Sequence, residues 1–291
     1  MTKLALLVAI CLPSAACIVG SNDPVSGGQG SGDDGTGSDG SGSSDPGTPG
    51  ATTKSGTISA NESWNTAIDV TGALTIAAGV TVTVAPGTTI HIASGGSITV
   101  NGMFDASGGT KAAPIVIAPV TAGAFHLGVR LPTGGALKYS YVTQTGGGIS
   151  TSGGSATIVD SLLSGASGDF LVMNGGAVDV SYSQIGKDAG VTDTTHCDMH
   201  FDGAMPNTIK VTHSNISTTS YGLMFYHGTA ADFTYNNWFG NTTDVDTNAG
   251  VVGDFSNGWF EKTPPAATGN GGAQLTLGTL AVAKLTDAGP R

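Results

Sequence analysis

The chain has 291 residues, of which 47 are glycine and only 11% are charged, whereas an average soluble domain has about 25% charged residues. This composition excludes a helical bundle, which would be rich in alanine, leucine, glutamate and lysine and poor in glycine. The net charge of −11 argues against a nucleic-acid-binding protein, because such proteins need a basic surface to displace counterions.

Residues 1–16 have the pattern of an export signal. Lys3 is followed by an apolar run over residues 4–12, which is too short to span a bilayer as a helix, and small residues stand directly before Cys17. This ending resembles the lipobox of bacterial lipoproteins. The resemblance implies a lipid on Cys17, a membrane as partner and a place in the cell envelope, at the outer membrane or the cell surface. The alternative is an ordinary secretory signal cut near Ala16.

Residues 17–55 are nearly all Gly, Ser, Asp, Thr and Pro, with no positive charge before Lys54. Such a segment buries too little apolar surface to fold. We therefore expect a disordered, flexible linker between the signal and a folded body.

The folded body contains a recurring six-residue pattern. Its five copies begin at Leu137, Ile158, Val180, Val211 and Phe233, and these first residues lie 21, 22, 31 and 22 positions apart. A period near 22 with one insertion of about nine residues is typical of a solenoid, because a loop can grow outward without disturbing the stack.

Two columns of side chains follow from this alignment. The fourth position of every copy is small and polar, which predicts a tight bend where side chains hydrogen-bond from coil to coil. The third position places His213 in a column that is otherwise aromatic or acidic. The fourth-position column is Ser140, Ser161, Ser183, Ser214 and Asn236, and the third-position column is Tyr139, Asp160, Tyr182, His213 and Tyr235.

A second short strand precedes each copy by about nine residues, so every coil should wrap once around a core and pair in parallel with its neighbours. The sequence thus predicts an all-β fold, a single right-handed parallel β-helix over residues 56–262 with about nine coils. Residues 263–291 are expected to form a C-terminal tail or cap.

Four segments are similar to the pectin-lyase-like β-helix proteins of bacterial surfaces. Three resemble the opening coils of that family and one resembles its late coils, and together they cover roughly residues 60–260. The family includes lyases, hydrolases, adhesins and inert scaffolds, so the resemblance implies the fold and leaves the activity open. The segments are Gly79–Ile90, Gly95–Gly102, Lys111–Ile117 and Asn236–Val245.

The candidate ligand-binding residues come from the second strands of the middle coils. His196, Asp198, His200 and Asp202 alternate, so their side chains should share the outer face while Cys197, Met199 and Phe201 point to the core. Aligning Gly175, Gly203 and Gly228 extends this face to neighbouring coils. The candidates are Phe170, Asp198, His200, Asp202, Phe225 and His227.

Alternative interpretations of this face remain open. It could bind a sugar, a partner or a divalent metal, or it could be a solvated surface whose Phe170, Leu223 and Phe225 are covered by the apolar tail from 275 to 285. A register slip of one residue would turn every side chain inward.

The repeats lack the paired aspartates that hydrolases of this fold use, and Arg130 is the one arginine of the predicted β-helix. The favoured function is a non-catalytic, lipid-anchored envelope protein that displays a rigid β-helix for adhesion to, or binding of, a polysaccharide or another surface protein. We expect no cofactor, metal or nucleic acid. A carbohydrate-active enzyme, a lyase or hydrolase with an unrecognised site, is the alternative.

Overall fold

The computed structural model describes residues 49–203, 206–262, 264–268 and 270–291, all of which belong to one compact unit, Ser43–Arg291. The predicted signal segment, Cys17 and most of the predicted linker lie outside the described residues. The first strand begins at Thr52, within the segment predicted as linker.

The described residues form 27 short strands and one 3-10 turn, Asn270–Gly272. In chain order the first strands are β1 (Thr52–Ile58), β2 (Glu62–Trp64), β3 (Ile68–Ile76), β4 (Thr81–Val84), β5 (Thr89–Ile92), β6 (Ser97–Val100), β7 (Met103–Ala106), β8 (Ile115–Pro119) and β9 (Val129–Pro132). The middle strands are β10 (Ala136–Ser140), β11 (Val142–Thr145), β12 (Ile149–Ser152), β13 (Ser155–Val159), β14 (Leu162–Ser164), β15 (Leu171–Met173), β16 (Gly176–Ser181), β17 (Gln184–Gly186) and β18 (Cys197–Phe201). The last strands are β19 (Asn207–Thr212), β20 (Asn215–Ser217), β21 (Tyr221–Phe225), β22 (Ala231–Asp232), β23 (Asn237–Phe239), β24 (Thr243–Thr247), β25 (Val252–Asp254), β26 (Trp259–Phe260) and β27 (Gln274–Thr276).

These strands pair in parallel in three ladders, and the long strands β1 and β3, which pair with each other, each contribute to two of them. Ladder 1 contains ten strands, β2, β4, β7, β10, β13, β16, β19, β22, β25 and β27. Ladder 2 runs from the first half of β3 through β5, β8, β11, β14, β17, β20 and β23 to β26. Ladder 3 runs from the second half of β3 through β6, β9, β12, β15, β18 and β21 to β24. The predicted all-β parallel solenoid is confirmed.

Columns of apolar side chains fill the interior, because alternate residues of each strand point inward and parallel register stacks them. The clearest column, in ladder 2, contains one polar member, Gln144. Its Oε1 accepts a hydrogen bond from the Tyr139 hydroxyl at 2.8 Å, and its Nε2 donates to the Gly147 carbonyl at 2.7 Å. The buried amide is therefore paired, as a polar group in a core must be. The column is Ile68, Ile90, Ile117, Gln144, Leu163, Ile185, Ile216, Trp238 and Phe260.

The bend between ladders 1 and 2 contains the predicted coil-to-coil hydrogen bonds. Ser183 Oγ accepts from the Ser161 backbone N–H at 3.2 Å, and Ser214 Oγ accepts from that of Ser183 at 3.1 Å. In the next coil, Asn236 Oδ1 accepts from the Ser214 backbone N–H at 2.8 Å. Each of these side-chain oxygens thus satisfies one buried amide of the coil before it.

The first copy of the repeat is displaced by two residues from the predicted alignment. Tyr139, and not Leu137, pairs with Ile158, so Ser140 stands beside Val159 and outside the serine column. Val142 takes the position that Ser140 was expected to hold, and its N–H donates to Ser161 Oγ. A shift of two preserves the alternation of a strand, so both Leu137 and Tyr139 remain buried and the slip is invisible in the hydrophobic pattern.

The residue before each member of the serine column has a left-handed backbone. Tyr141 rather than Tyr139 belongs to this column, whose φ values run from 48° to 59° between residues 141 and 235. Rings stack along it, with centroids 4.9 Å apart between Tyr182 and His213 and 4.8 Å apart between His213 and Tyr235. His213 is thus a bend residue. The left-handed residues are Tyr141, Asp160, Tyr182, His213 and Tyr235, with Asn257 in the last coil.

The C-terminal segment runs back across this same bend. Asn237 holds Leu285 by two hydrogen bonds, from the Leu285 N–H to its Oδ1 and from its Nδ2 to the Leu285 carbonyl. The Gly289 N–H donates to the His213 carbonyl. We call residues 279–291 the C-terminal strap. The strap is docked on the bend, whereas the alternative derived from the sequence had the tail covering Phe170, Leu223 and Phe225.

Candidate functional site

A carboxylate and two imidazoles meet on the side of the solenoid that ladder 3 forms. Asp169 lies in the turn before β15, and His196 and His200 belong to the next coil, before and within β18. Asp169 Oδ1 is 3.1 Å from His196 Nδ1, and Asp169 Oδ2 is 2.7 Å from His200 Nδ1. We call these three residues the Asp169 cluster. One carboxylate thereby holds both rings of the neighbouring coil by their Nδ1 atoms.

The hydrogen bonds decide the charge of Asp169. Burial acts to raise its pKa, but the hydrogen bonds from His200 and His196 outweigh burial and hold the pKa below its usual range. Asp169 is therefore ionised at neutral pH, and its two oxygens accept the Nδ1 protons of the rings.

The side chains of His200 and His196 differ in their exposure to solvent. The His200 side chain is only 8% exposed, against 36% for His196. The buried Nε2 of His200 finds no hydrogen-bond partner among the residues that the structure describes. The Tyr226 ring packs against the imidazole in a T-shaped arrangement, with centroids 5.5 Å apart.

Tyr226 is itself held in place from the next coil. Its hydroxyl donates to Asp246 Oδ2 at 2.6 Å. Burial and the neighbouring Asp246 carboxylate raise the pKa of Tyr226, so it remains a neutral phenol that donates this bond.

A shallow groove of about 220 Å³ adjoins the Asp169 cluster. Asp169 lies in its wall together with the apolar side chains of Leu127 and Val172 and the backbone of Gly147 and Gly148. A Cβ on Gly147 would collide with the His126 ring, and a Cβ on Gly148 would collide with the Phe170 carbonyl. Glycine at these two positions therefore lets adjacent coils pack closely beneath the groove.

Asp198 was predicted to point to solvent, and the structure buries it completely. Its Oδ2 accepts a hydrogen bond from the Ser217 N–H at 3.0 Å. Burial raises the pKa of Asp198 well above its usual range, and the charge of Asp193 raises it further. Asp193 belongs to the segment inserted between β17 and β18, and its carboxylate accepts from the Gly165 N–H. Asp198 is therefore a structural acid beneath this insertion.

The two candidate phenylalanines also lie inside the protein, so their predicted outward orientation is wrong. Phe170 is buried in the core beside β15, and Phe225 packs edge-on against Phe233, with ring centroids 5.4 Å apart. Phe225 pairs with Phe201, and Leu223 pairs with Met199. Aligning Gly228 with Gly203 had moved this strand by one residue.

The turn after β21 is the cause of that slip. Three positions separate Phe225 from Gly228, whereas two separate Phe201 from Gly203. The turn accommodates the extra residue, because a shift within the strand would expose Leu223 and Phe225 to water. Met224 consequently stands beside His200, at the position predicted for Phe225.

The remaining candidates are engaged in turns. The exposed Asp202 accepts a hydrogen bond from the Gly203 N–H at 2.7 Å. The His227 carbonyl accepts from Asn207 Nδ2 at 2.9 Å. Of the six predicted ligand-binding residues, the structure places only His200 in the Asp169 cluster.

Sequence reasoning missed Asp169 and Tyr226. Asp169 precedes a strand within a turn rich in Gly and Ser, and Tyr226 follows a strand, so neither joins an alternating pattern. The available signal was the predicted stacking of the segments around 170 and 198, which also brings residue 169 close to the coil of His196 and His200.

Among the residues that the structure describes, no group of three or more His, Cys, Asp or Glu side chains is arranged to hold a metal ion. Within those same ranges, no helix has the length and apolar character needed to cross a membrane. No protein-family model, curated protein or solved structure matches the chain.

Proposed function

We propose that this protein is an exported, lipid-anchored β-solenoid of the cell envelope that binds carbohydrate, without cleaving it, in the groove beside the Asp169 cluster. The observation that carries the proposal is an ionised, hydrogen-bonded carboxylate in the wall of a groove that also has apolar walls. Carboxylates accept hydrogen bonds from sugar hydroxyls, while Leu127 and Val172 offer contact to the apolar C–H faces of a sugar ring.

Charge favours a neutral sugar polymer over a polyuronate. The chain carries a net charge of −11, and Asp169 adds a negative charge at the groove itself. A uronate carboxylate would be repelled there. A neutral glycan exposes hydroxyl donors and no charge.

Affinity electrophoresis of the exported full chain in gels containing dextran, hydroxyethyl cellulose or polygalacturonate tests the proposal. We expect dextran or hydroxyethyl cellulose to retard the protein and polygalacturonate to leave it unretarded. Asp169→Asn should weaken the affinity by about tenfold or more, since a charge-assisted hydrogen bond contributes roughly 1.5–3 kcal/mol. Asp202→Asn, which changes an exposed carboxylate of the neighbouring coil, is the matched control and should behave like the wild type.

Two results would count against carbohydrate binding at this groove. Absence of retardation by all three polymers would exclude these ligands. Equal retardation of the wild type and Asp169→Asn would place binding elsewhere on the protein.

The anchoring part of the proposal rests on residues 14–17, which resemble a lipobox, and needs its own test. Cys17→Ser should move the protein from the membrane fraction to the soluble exported fraction, because several acyl chains provide stable anchoring and their loss removes it. Unchanged membrane association of Cys17→Ser would contradict a lipid on this residue.

A polysaccharide-cleaving enzyme is the second candidate function. The observation in its favour is the pairing of His200 Nδ1 with the Asp169 carboxylate, an arrangement that orients an imidazole for proton transfer. Incubation of the same three polymers with the protein, followed by a reducing-end assay, distinguishes the two functions. New reducing ends that disappear in His200→Gln would favour the enzyme.

A further inference from the structure

We propose that the Tyr226 side chain is a gate over His200. In the closed position its ring covers the Nε2 atom of His200 and its hydroxyl donates a hydrogen bond to Asp246. A ligand hydroxyl reaches Nε2 only after the ring rotates away. The ligand part of this inference rests on the proposed function. The gate itself does not.

One ring nitrogen of His200, Nε2, lies buried without a hydrogen-bond partner among the described residues. A buried polar atom without a hydrogen-bond partner is uncommon, because burying it without compensation costs roughly 1–3 kcal/mol. His200 Nε2 is such an atom within the described part of the chain. Asp169 already binds Nδ1, so in the neutral ring Nε2 carries the lone pair and is suited to accept a hydrogen bond from a hydroxyl or amine.

Two apolar side chains, a carboxylate and an aromatic ring lie around the His200 imidazole. Val172 and Met224 flank His200 along the outer face of ladder 3, and neither side chain donates a hydrogen bond. Among the described residues, Asp169 is the ion-pairing partner of His200 and occupies Nδ1. The Tyr226 ring lies at the imidazole in a T-shaped contact. The Tyr226 backbone N–H donates to the Phe201 carbonyl at 2.8 Å, which fixes the backbone while the side chain can rotate about its own bonds.

The hydrogen bond from the Tyr226 hydroxyl to Asp246 is the latch of this gate. Within the described residues, the Tyr226 side chain is held by one hydrogen bond, from its hydroxyl to Asp246 Oδ2. Tyr226 is half-buried, so its ring has solvent on one side into which it can move. A single latch of this kind gives two discrete positions, closed with the bond and open without it, and the balance between them can be shifted by a ligand that binds only the open one.

Acylation of His200 by diethyl pyrocarbonate measures the gate directly, since the reagent needs an accessible neutral ring nitrogen. Peptide fragmentation by mass spectrometry separates His200 from His196. In the wild type His200 should react more slowly than the more exposed His196. In Tyr226→Ala the His200 rate should rise about tenfold or more, as expected if the open state of the wild type is populated at roughly 10% or less.

Two milder variants keep the test valid if Tyr226→Ala fails to fold. Tyr226→Phe retains the ring and loses the latch, and Asp246→Asn weakens the latch from the other side. Both should raise the His200 rate by a smaller factor than Tyr226→Ala. His213, stacked between Tyr182 and Tyr235, is the internal reference and its rate should not change.

The outcomes separate the gate from the proposed function. Equal His200 rates in the wild type and all folded variants would overturn the gate, and so would a parallel rise at His213, which would indicate general loosening. If dextran or hydroxyethyl cellulose binds, that polymer should slow His200 acylation in Tyr226→Phe. If neither binds, the carbohydrate proposal fails while a selective rise at His200 would still establish the gate.

Discussion

Arg291 and Asp160, 131 positions apart in the sequence, form a paired contact at the end of the C-terminal strap. Arg291 donates to the Asp160 carboxylate from Nε at 3.0 Å, from Nη2 at 2.9 Å and from its backbone N–H at 3.1 Å. Its guanidinium also lies 3.8 Å from the Tyr182 ring centroid. Asp160 occupies the left-handed position that aromatic residues hold in the adjacent coils, so a carboxylate that binds the strap interrupts the column of rings between Tyr141 and Tyr182.

Asp160→Asn should release the end of the strap while preserving the bend, because asparagine also tolerates a left-handed backbone. Arg291 is more than half exposed, so solvent screens the pair and we expect a loss of only about 1 kcal/mol in the free energy of unfolding. Hydrogen exchange of residues 285–291 should accelerate. Unchanged exchange there would show that the pair does not hold the strap.

Ser214→Ala should destabilise the solenoid by about 1–3 kcal/mol, since it leaves the buried N–H of Ser183 without its acceptor. Urea unfolding measures the change. Ser140→Ala is the matched control and should change stability by less than about 0.5 kcal/mol, because Ser140 lies on the half-exposed outer side, beside Val159. Equal effects of the two substitutions would contradict the role of the serine column.

Phe225→Ala should cost about 3–5 kcal/mol of folding free energy, as expected for a phenylalanine enclosed in a core. Leu162→Ala, at an exposed position of β14, should be nearly neutral. Thermal unfolding of the two variants compares them. A nearly neutral Phe225→Ala would mean that this residue faces outward after all.

His126 should make the fold sensitive to mild acid. Its Nδ1 accepts from the Gly128 N–H and its Nε2 faces the Thr145 carbonyl, so the turn requires the neutral ring. Burial lowers the pKa of His126. Its contribution is thus present above the unfolded value, about 6.5, and is lost as pH falls through the lower folded value. The unfolding midpoint should fall less between about pH 7.5 and 5 in His126→Gln than in the wild type, and identical pH profiles would refute this.

The contribution of Asp198 to stability should depend on pH in the opposite direction to that of His126. Because burial raises its pKa, its contribution to stability is present below the unfolded value, about 3.9, and is lost as pH rises through the folded one. Asp198→Asn removes this titration. The variant should therefore gain stability relative to the wild type as pH increases from about 5 to 8, whereas a constant difference in midpoint across this range would argue against a buried titrating acid.

The sequence by itself determined the repeat and the class of fold. The period near 22, the alternation of apolar residues and the serine column are local and repeated, and a parallel solenoid stacks equal positions of successive coils. The repeat alone therefore places Ser161, Ser183, Ser214 and Asn236 in one column.

Tertiary structure decided the register of the strands wherever a turn changed length. It therefore also decided which side chains meet at the candidate site. The turn before Gly228 is one residue longer than the turn before Gly203, so Phe225 points inward and not outward as predicted. At Tyr139 the alignment of the repeat shifts by two residues, so Val142 and not Ser140 stands next to the serine column. Asp169 meets His196 and His200 only because the turn before β15 lies beside the coil that contains β18. Alternation constrains which face a residue takes within one strand, but turn length sets how strands align, and a turn carries no periodic signal.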